Sequence, residues 1–290
     1  LYLDQITSGT ESAGDETPPT VTVSVADGVL TAYVSDNMDK SFAQSAVTLT
    51  WDGAGVDFTW EEEAGALTWT LPAEDGRLHR ATVTATDQSG NTGRGSVNVT
   101  PADGTSTAQN PFVDMTAHWA SPYTTYLYDS GVVQGVDSDA GPLFQPDKNI
   151  TRGEFALMVA RWMGLDLDSY VDVELPFADL DTVPSWCLNA MKAMYAEGIL
   201  KGSLEGGVLM GRATASISRA EAMTILGRIQ GQGYIRQSLT FSDADQVPAW
   251  ALPYVETLVG QGIISGYDNL LRPNDSVTRA EVAKMLFFLL

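Results

Sequence analysis

Three short segments of the sequence place a hydroxyl, an arginine and a carboxylate at the same spacing. They read Thr151-Arg152-Gly153-Glu154, Ser218-Arg219-Ala220-Glu221 and Thr278-Arg279-Ala280-Glu281. A Thr or Ser followed three residues later by Glu is a capping box: the hydroxyl accepts the third backbone N–H of a helix, and the Glu accepts the N–H of the cap itself. The arginine then occupies the first helical position, where free N–H groups and the helix dipole attract anions. The segments therefore predict three receptors for a carboxylate or phosphate, each with an outward arginine.

Other residues repeat in step with these segments. Each copy has a Phe-x-Asp, then a Trp, and twelve residues after the Trp a Gly that opens a short apolar turn, which a second Gly closes. The Asp, the Trp and the two glycines are Asp114, Trp119, Gly131 and Gly135; Asp179, Trp186, Gly198 and Gly202; and Asp243, Trp250, Gly262 and Gly266. The period of about 60 to 67 residues indicates an internal repeat.

Within each copy, the Trp is predicted to begin a helix. Trp250, Tyr254 and Leu258 share one face at helical spacing, and the other copies follow the same pattern. The first Gly ends this helix, because Gly adopts the left-handed cap conformation without steric cost. A loop then leads to the capped second helix. Each copy is thus predicted as helix, loop, helix, and the three should form one unit because a single pair cannot bury its apolar stripe.

The preceding part of the chain has a hydrophobic period of two. From Thr20 to Thr100, apolar residues alternate with polar ones, and Asp27-Gly28, Asp52-Gly53 and Asp75-Gly76 mark turns. About seven short strands in about 80 residues predict an all-β sandwich. Residues 1–19 are interpreted as the tail of an upstream domain, with a strand of jelly-roll type at residues 1–6, followed by a linker rich in Ser, Thr, Gly and Pro.

Composition excludes several classes of function. The net charge of −21 over 290 residues disfavours nucleic acid and anionic membrane surfaces as partners, because both require a basic footprint. No apolar run is long enough to span a membrane. Cys187 is the only cysteine and occupies a repeat position where the other copies have Ala, so it is predicted to pack in the core. With only His79 and His118 besides, neither a zinc site nor a cofactor is predicted.

Acidic residues of the predicted sandwich suggest one alternative. Asp15, Asp36 and Asp87 lie near strand ends that meet at one pole, and Ca²⁺ takes six to eight oxygen ligands. Asp also serves solvated turns, which is the interpretation we favour. No metal site is predicted, and calcium binding by the sandwich stays open.

The ordered Phe-x-Asp, Trp, Gly-Ile-Ile-x-Gly and Thr-Arg-Ala-Glu elements resemble the S-layer homology domain over about 180 of the 290 residues. The resemblance implies an all-α, pseudo-threefold bundle with binding grooves between neighbouring repeats. It also implies non-covalent attachment of an exported bacterial protein to a secondary cell-wall polysaccharide. That polymer often bears a pyruvate ketal whose carboxylate the repeat arginine recognises. Similarly, Ala85–Asn91 resembles the Asp-x-x-Gly-Asn signature of bacterial immunoglobulin-like domains, which usually act as spacers.

The resemblance assigns roles to the repeated residues. The predicted ligand-binding residues are Arg152, Arg219, Arg279, Trp119, Trp186, Trp250, Asp114, Asp179, Asp243, Gly135, Gly202 and Gly266. The predicted structural caps are Thr151, Glu154, Ser218, Glu221, Thr278 and Glu281. Two alternatives stay open: each Trp either stacks on sugar or belongs to the core, and each Asp either holds a turn or accepts sugar hydroxyls. The second copy departs most, with Met210-Gly211-Arg212 where the others have a Pro.

The predicted organisation has six segments. They are the tail and linker at 1–19, the immunoglobulin-like sandwich at 20–101, a linker at 102–109, and S-layer homology repeats at 110–172, 173–236 and 237–290. The predicted function is cell-wall anchoring by a secreted, cell-surface protein of a bacterium, with the sandwich as spacer and the oligomeric state open. The alternatives are an S-layer lattice protein and the non-catalytic anchor of a larger carbohydrate-active exoenzyme. An enzyme is not predicted, because a glycosidase needs two carboxylates roughly 5 to 10 Å apart and capping already accounts for the repeated Glu.

Overall fold

The computed structural model describes residues 15–99, 110–230 and 236–290. The predicted upstream strand at residues 1–6 and the predicted linker at 102–109 lie outside the described residues. Strands precede helices along the chain, so the predicted order of a β part followed by a largely α part is confirmed.

Eight strands form two antiparallel sheets in the first part. They are β1 Thr20–Ala26, β2 Val29–Ser35, β3 Val47–Trp51, β4 Ala54–Gly55, β5 Thr59–Glu61, β6 Ala66–Thr70, β7 His79–Thr86 and β8 Thr92–Val99. The strand orders are β1-β2-β6-β5 in one sheet and β4-β3-β7-β8 in the other. The inward residues of both sheets, such as Leu30 of β2 and Val83 of β7, form one hydrophobic core. The turn between β1 and β2 has φ of 51° at Asp27 and 73° at Gly28, so the predicted Asp-Gly hairpin is confirmed.

Six α-helices follow in the described residues. They are α1 Ser121–Asp129, α2 Arg152–Trp162, α3 Ser185–Ala196, α4 Arg219–Gln230, α5 Leu252–Gly260 and α6 Arg279–Phe288. The second copy also contains a short hairpin, β9 Ser203–Glu205 and β10 Val208–Met210. The prediction of an all-α array is therefore wrong at this point. Gly206 and Gly207 both have positive φ, 56° and 85°, which supplies the tight two-residue turn that a hairpin needs.

The helices pack in a cyclic order. α2 packs against α3, α4 against α5, and α6 against α1, so the second helix of each copy covers the first helix of the next copy. One hydrophobic core runs through all three copies. The buried stripe of each first helix begins one residue after the repeat Trp, at Ala120, Cys187 or Ala251, and not at the Trp itself. The three copies are thus held as one unit.

A closed cycle of backbone hydrogen bonds lies at the centre of the array. The N–H of Ile150 donates to the carbonyl of Val277 at 3.0 Å, Val277 to Ile217 at 3.1 Å, and Ile217 to Ile150 at 3.1 Å. All three side chains are fully buried. Each residue comes from a different copy and directly precedes a capping segment. Removal of any one copy would leave buried backbone groups without partners, and this carries a cost of about 1–3 kcal/mol per group.

The sandwich lies directly against this array. The hydroxyl of Tyr126 donates to the carbonyl of Asp52 at 3.2 Å, and Arg77 pairs with Asp129 at 3.2 Å. The guanidinium of Arg80 lies 4.5 Å from the centre of the Phe288 ring. The contacts join the sandwich to α1 and α6, which are the two helices that close the cycle.

The second glycine of each apolar turn is packed against the Phe of the Phe-x-Asp segment. A Cβ placed on Gly266 would lie 2.6 Å from Cε1 of Phe241 and 2.7 Å from the carbonyl oxygen of Leu270. Gly135 and Gly202 have equivalent neighbours in their own copies. The first glycine of the turn is different: Gly262 has a similar φ of 69°, yet no atom lies within 4 Å of its Cβ position. Substitutions at the two glycines therefore distinguish the cost of backbone strain from the cost of close packing.

We expect Gly266→Ala to destabilise the array more than Gly262→Ala. Both variants add the left-handed backbone penalty of roughly 1–2 kcal/mol, and Gly266→Ala adds an overpacking cost of about 1–3 kcal/mol. Urea unfolding of both variants measures the difference. Equal losses of unfolding free energy would show that the Phe241 side chain moves aside without an energetic cost, which would contradict the prediction.

Candidate functional site

The N-termini of the second helices are already occupied by neighbouring repeats. The N–H of Arg152 donates to the carbonyl of Ala215 at 2.9 Å, and that of Gly153 to Ala213 at 2.8 Å. The next N–H, that of Glu154, donates to the Thr151 hydroxyl. The first two N–H groups of α4 and α6 likewise donate to loop carbonyls of the next copy in the cycle. The prediction that free N–H groups at these helix starts attract an anion is therefore wrong, because they join the repeats instead.

The arginine side chains of the capping segments make the same connection. Arg152 is only 4% exposed; its Nε donates to the carbonyl of Gly211 at 3.1 Å and its Nη1 to Oε1 of Glu221 at 2.7 Å. The other contacts are Arg219 with Leu271 at 2.8 Å and Glu281 at 2.9 Å, and Arg279 with Phe144 at 2.8 Å and Glu154 at 3.9 Å. The predicted outward orientation is wrong, and each arginine instead links its repeat to the next one.

Burial changes the electrostatics of these arginines. Desolvation lowers the pKa of Arg152, Arg219 and Arg279 below the ordinary value, and the attraction of the facing glutamate acts in the opposite direction. The guanidinium groups remain charged, because their ordinary pKa lies far above neutrality. Removing one partner of such a buried pair typically costs about 3–5 kcal/mol. The capping arginines are thus structural cross-links of the array.

The glutamates have two roles, one for each carboxylate oxygen. Oε2 of Glu281 accepts the N–H of Thr278 at 2.9 Å, while the Thr278 hydroxyl accepts the N–H of Glu281, so the capping box is confirmed. The same pairs are present at Thr151 with Glu154 and at Ser218 with Glu221. Oε1 of Glu281 accepts from Arg219 of the preceding repeat and from Arg272 of its own loop, each at 2.9 Å. The second role was not predicted from the sequence.

The repeat aspartates hold the loop ahead of the second helix. The carboxylate of Asp243 accepts the N–H of Leu271 at 2.8 Å and that of Arg272 at 2.7 Å. Asp114 binds the N–H groups of Phe144 and Gln145, and Asp179 those of Gly211 and Arg212. The sequence left two roles open for these aspartates, holding a turn or accepting sugar hydroxyls. The observed contacts are those of a residue that holds a turn.

The repeat tryptophans lie on the surface. Trp119, Trp186 and Trp250 are 52%, 53% and 54% exposed. The core alternative is therefore wrong for all three, and their rings are available to a ligand. Trp119 and Trp250 also precede their helices by two residues, whereas Trp186 is the second residue of α3.

Two grooves between repeats bring these residues together, and we name each after the repeat that supplies its turn and capped helix. The third-repeat groove has a volume of about 370 Å³ and is lined by Trp119, Arg219, Ile263, Ile264, Ser265, Gly266, Tyr267, Arg272, Glu281, Lys284 and Met285. The second-repeat groove, of about 440 Å³, is lined by Arg152, Leu200, Lys201, Gly202, Ser203, Leu204, Arg212, Glu221, Thr224, Ile225, Arg228 and Trp250. In each groove the buried arginine comes from the preceding repeat and the Trp from the following one.

The grooves concentrate positive charge on an acidic chain. Seven of the sixteen Lys and Arg residues line them, against a single Glu in each groove, although the net charge of the chain is −21. Arg212 and Arg272 were not among the predicted site residues. Both have φ of 52°, and their N–H groups bind the repeat aspartate as that of Gln145 does. The loop triplet of the second copy is therefore Gly211-Arg212-Ala213, and its predicted alignment as Met210-Gly211-Arg212 is wrong by one residue. Aligning that position across the three copies would have shown Gln145, Arg212 and Arg272 side by side. The grooves are suited to an anionic ligand with an apolar face for a Trp ring.

Two predictions concern residues outside the grooves, namely the three sandwich aspartates and Cys187. The carboxylates of Asp15, Asp36 and Asp87 do approach within 4.8 Å of one another. Asp87 accepts the backbone and side-chain N–H groups of Asn91, and Asp36 accepts two N–H groups of its own turn, so turn contacts are present and calcium binding stays an open prediction. Cys187 is fully buried, and burial raises the pKa of its thiol to about 11, as expected of a packed residue.

Three helix pairs closed into a cycle, with grooves between them, define a repeat protein whose candidate binding sites lie between its copies. Comparison with known proteins gives the family. The S-layer homology domain matches residues 111–156, 176–206 and 240–283. The chain is an S-layer homology domain protein with three repeats.

Known relatives share this region. The chain is 33% identical over 155 residues to a cellulosome-anchoring protein of Acetivibrio thermocellus, covering 50% of this chain and 33% of the relative. It is 31% identical over 164 residues to the surface-layer 125 kDa protein of Lysinibacillus sphaericus, covering 54% and 13%. It is 29% identical over 185 residues to an amylopullulanase of Thermoanaerobacterium thermosulfurigenes, covering 62% and 9%. The matched region spans a third or less of each relative.

Family and relatives together place the chain at the cell surface or cell wall. None of the helices in the described residues has the length and apolar character that a membrane span requires.

We expect Glu154→Gln to lower stability at neutral pH and to have progressively less effect in acid. Burial acts to raise the pKa of Glu154, but the Thr151 N–H and the positive charges of Lys148 and Arg279 overcome it, so the pKa is lowered. A carboxyl with a lowered folded pKa stabilises the fold above its unfolded pKa, about 4.3, and loses that contribution as the pH falls through the folded value. Gln keeps the cap acceptor and removes the charge, at a cost of about 1 kcal/mol at pH 7.

Melting temperatures measured from pH 7 to pH 3 test this expectation. The exposed Glu63→Gln is the control and should follow the unmodified chain throughout. A Glu154→Gln deficit that stays constant across this range would contradict a lowered pKa.

Proposed function

We propose that the chain anchors an exported bacterial protein non-covalently to the cell wall by binding a secondary cell-wall polysaccharide in the grooves between its repeats. The polymer is anionic and carries pyruvate ketals. The main observation behind this proposal is the distribution of positive charge: seven of the sixteen Lys and Arg residues of a strongly acidic chain line two grooves. Each groove is also lined by a half-exposed Trp. The proposal includes a pseudo-threefold bundle for the repeats and an immunoglobulin-like spacer for the sandwich.

The chemistry of the grooves supports a saccharide of this kind. A pyranose ring has an apolar face that packs on an aromatic ring, and its hydroxyls accept and donate hydrogen bonds. Ser265 and Gly266 of the Gly-containing turn line the third-repeat groove together with Trp119. A ketal carboxylate then pairs with guanidinium, which offers two parallel N–H donors. The same carboxylate would be repelled elsewhere on a chain of net charge −21.

We further propose that this chain is not catalytic. Both oxygens of Glu281 are engaged, one by the helix cap and one by two arginines, and Glu221 is held in the same way. A glycosidase requires a protonated carboxyl and a second free carboxylate at the bond. The relative named amylopullulanase supports the view that an S-layer homology anchor of this kind can serve a larger carbohydrate-active enzyme.

We expect Trp119→Ala and Trp250→Ala to weaken retention on purified cell walls, and the double variant to weaken it most. Loss of one sugar-stacking ring removes apolar contact worth roughly 1–2 kcal/mol, which corresponds to a fivefold to thirtyfold lower affinity for its groove. Both rings are more than half exposed, so the fold should be preserved. Binding to walls is measured by sedimentation, with Tyr33→Ala on the sandwich, 56% exposed, as the matched aromatic control.

Walls stripped of their secondary polymer supply the second arm of this experiment. The unmodified chain should bind intact walls and not stripped walls. Equal binding to both would contradict the proposed ligand, and full binding by the double Trp variant would contradict the proposed grooves. Variants of Arg152, Arg219 or Arg279 are unsuitable here, because each breaks a buried link between repeats.

A further inference from the structure

One loop position presents a side chain in the same way in all three repeats but differs in residue type. It holds Gln145, Arg212 and Arg272, with φ of 59°, 52° and 52°. This left-handed conformation is unfavourable for a residue with a side chain and persists only where the surroundings fix it. In each repeat, the carboxylate of the repeat aspartate accepts the N–H of this residue at 2.7 Å. The aspartate thus orients the loop residue relative to the groove.

The two arginines at this position are the accessible guanidinium groups beside the glutamates. Nη2 of Arg212 lies 2.7 Å from Oε1 of Glu221, and Nη2 of Arg272 lies 2.9 Å from Oε1 of Glu281. Their side chains are 32% and 42% exposed, whereas those of the capping arginines are between 4% and 10% exposed. Arg212 also has a buried Nε without a hydrogen-bond partner among the described residues. Nη1 of Arg212 also lies 3.3 Å from Glu205, and Nε of Arg272 lies 3.9 Å from Asp275. Since a guanidinium has five N–H donors, both residues still retain donors for a ligand.

The first repeat lacks this arginine. Gln145 occupies the position, and Glu154 is reached instead by Nζ of Lys148 at 2.9 Å, from three residues further along the loop. The charge around the glutamate is therefore retained, but the planar fork is absent. Lysine acts as a point charge and does not replace the two parallel donors that a carboxylate receives from arginine.

We propose that Arg212 and Arg272 are the specificity-determining residues of the second-repeat and third-repeat grooves, which select a carboxylated saccharide over its neutral counterpart. The surface between the first repeat and Trp186 has Gln145 at the equivalent loop position, and it does not discriminate between the carboxylated and the neutral saccharide. The inference rests on the proposed function and deepens it, because it assigns recognition of the acidic group to the loop arginines and scaffolding to the capping arginines. The chain then has two acid-selective grooves and not three.

Titration calorimetry on the full chain tests this with two probes. One is the methyl glycoside of a hexopyranose bearing a pyruvate ketal, and the other is the same glycoside without the ketal. The ratio of their affinities is the readout. Arg212→Gln with Arg272→Gln should lower that ratio by about tenfold to a hundredfold, the usual worth of a charge-assisted pair of about 1.5–3 kcal/mol. Gln is the chosen replacement because Gln145 already adopts this backbone conformation in the first repeat.

Further variants complete the design. Replacing both arginines by Lys should give an intermediate ratio, because charge returns without the fork. Gln145→Arg should raise the number of ketal-sensitive sites from two to three. Lys40→Gln, which removes one exposed positive charge from the sandwich, should leave the ratio unchanged. Thermal unfolding of each variant checks that the array stays folded.

The possible results separate the two levels of the proposal. An unchanged affinity ratio in the double Gln variant, with both probes still bound, overturns the role of the loop arginines and leaves anchoring through the grooves intact. An equal loss of affinity for both probes, with lowered stability, would assign these arginines a purely structural role and also overturns the inference. If the unmodified chain binds neither probe, the proposed saccharide is wrong and this inference falls with it.

Discussion

The structure depends on one constraint: the backbone groups that are buried where two repeats meet must find their partners in the other repeat. Ile150, Ile217 and Val277 satisfy one another in a closed cycle, and the first two N–H groups of each capped helix use carbonyls of the next loop. A helix start that is normally open to solvent is thereby converted into an interface. The same contacts bring the turn of one repeat, the arginine of the preceding repeat and the Trp of the following repeat into one groove.

The glutamate of the capping segment connects this interface to the groove. Its Oε2 completes the cap, while its Oε1 lies between a buried arginine from the preceding repeat and, in the second and third repeats, a more exposed arginine of its own loop. The carboxylate of the capping glutamate therefore faces two guanidinium groups, and the loop arginine also pairs with a second carboxylate, Glu205 at 3.3 Å in the second repeat and Asp275 at 3.9 Å in the third. Burial would be unfavourable for two guanidinium groups alone, so the carboxylate is what allows the cations to be placed this close together.

Local patterns in the sequence predicted local structure well. The capping boxes and the Asp27-Gly28 hairpin follow from residue types a few positions apart, and both were predicted. The groups that contact a helix start from elsewhere in the chain do not follow from local patterns. Arg152 pairs with Glu221, which is 69 residues away, and no periodicity in the sequence indicates that contact. The outward arginine was therefore predicted wrongly. The exposure of the tryptophans cannot be predicted for a similar reason, since helical spacing alone does not separate a buried ring from one at the edge of a groove.

The docking of the sandwich involves the same two helices that close the array. The hydroxyl of Tyr126 in α1 donates to the carbonyl of Asp52, in the turn between β3 and β4. The ring of Phe288 in α6 lies under the guanidinium of Arg80, and the carbonyl of Leu290 accepts hydrogen bonds from Thr82 and Arg94. The third-repeat groove is built across this pair, with Trp119 just before α1 and Lys284 on α6. A change in how α1 and α6 pack would alter both the groove and the sandwich contact. The third-repeat groove and the sandwich contact therefore share one helix pair, whereas the second-repeat groove is built on α4 and the loop before α5.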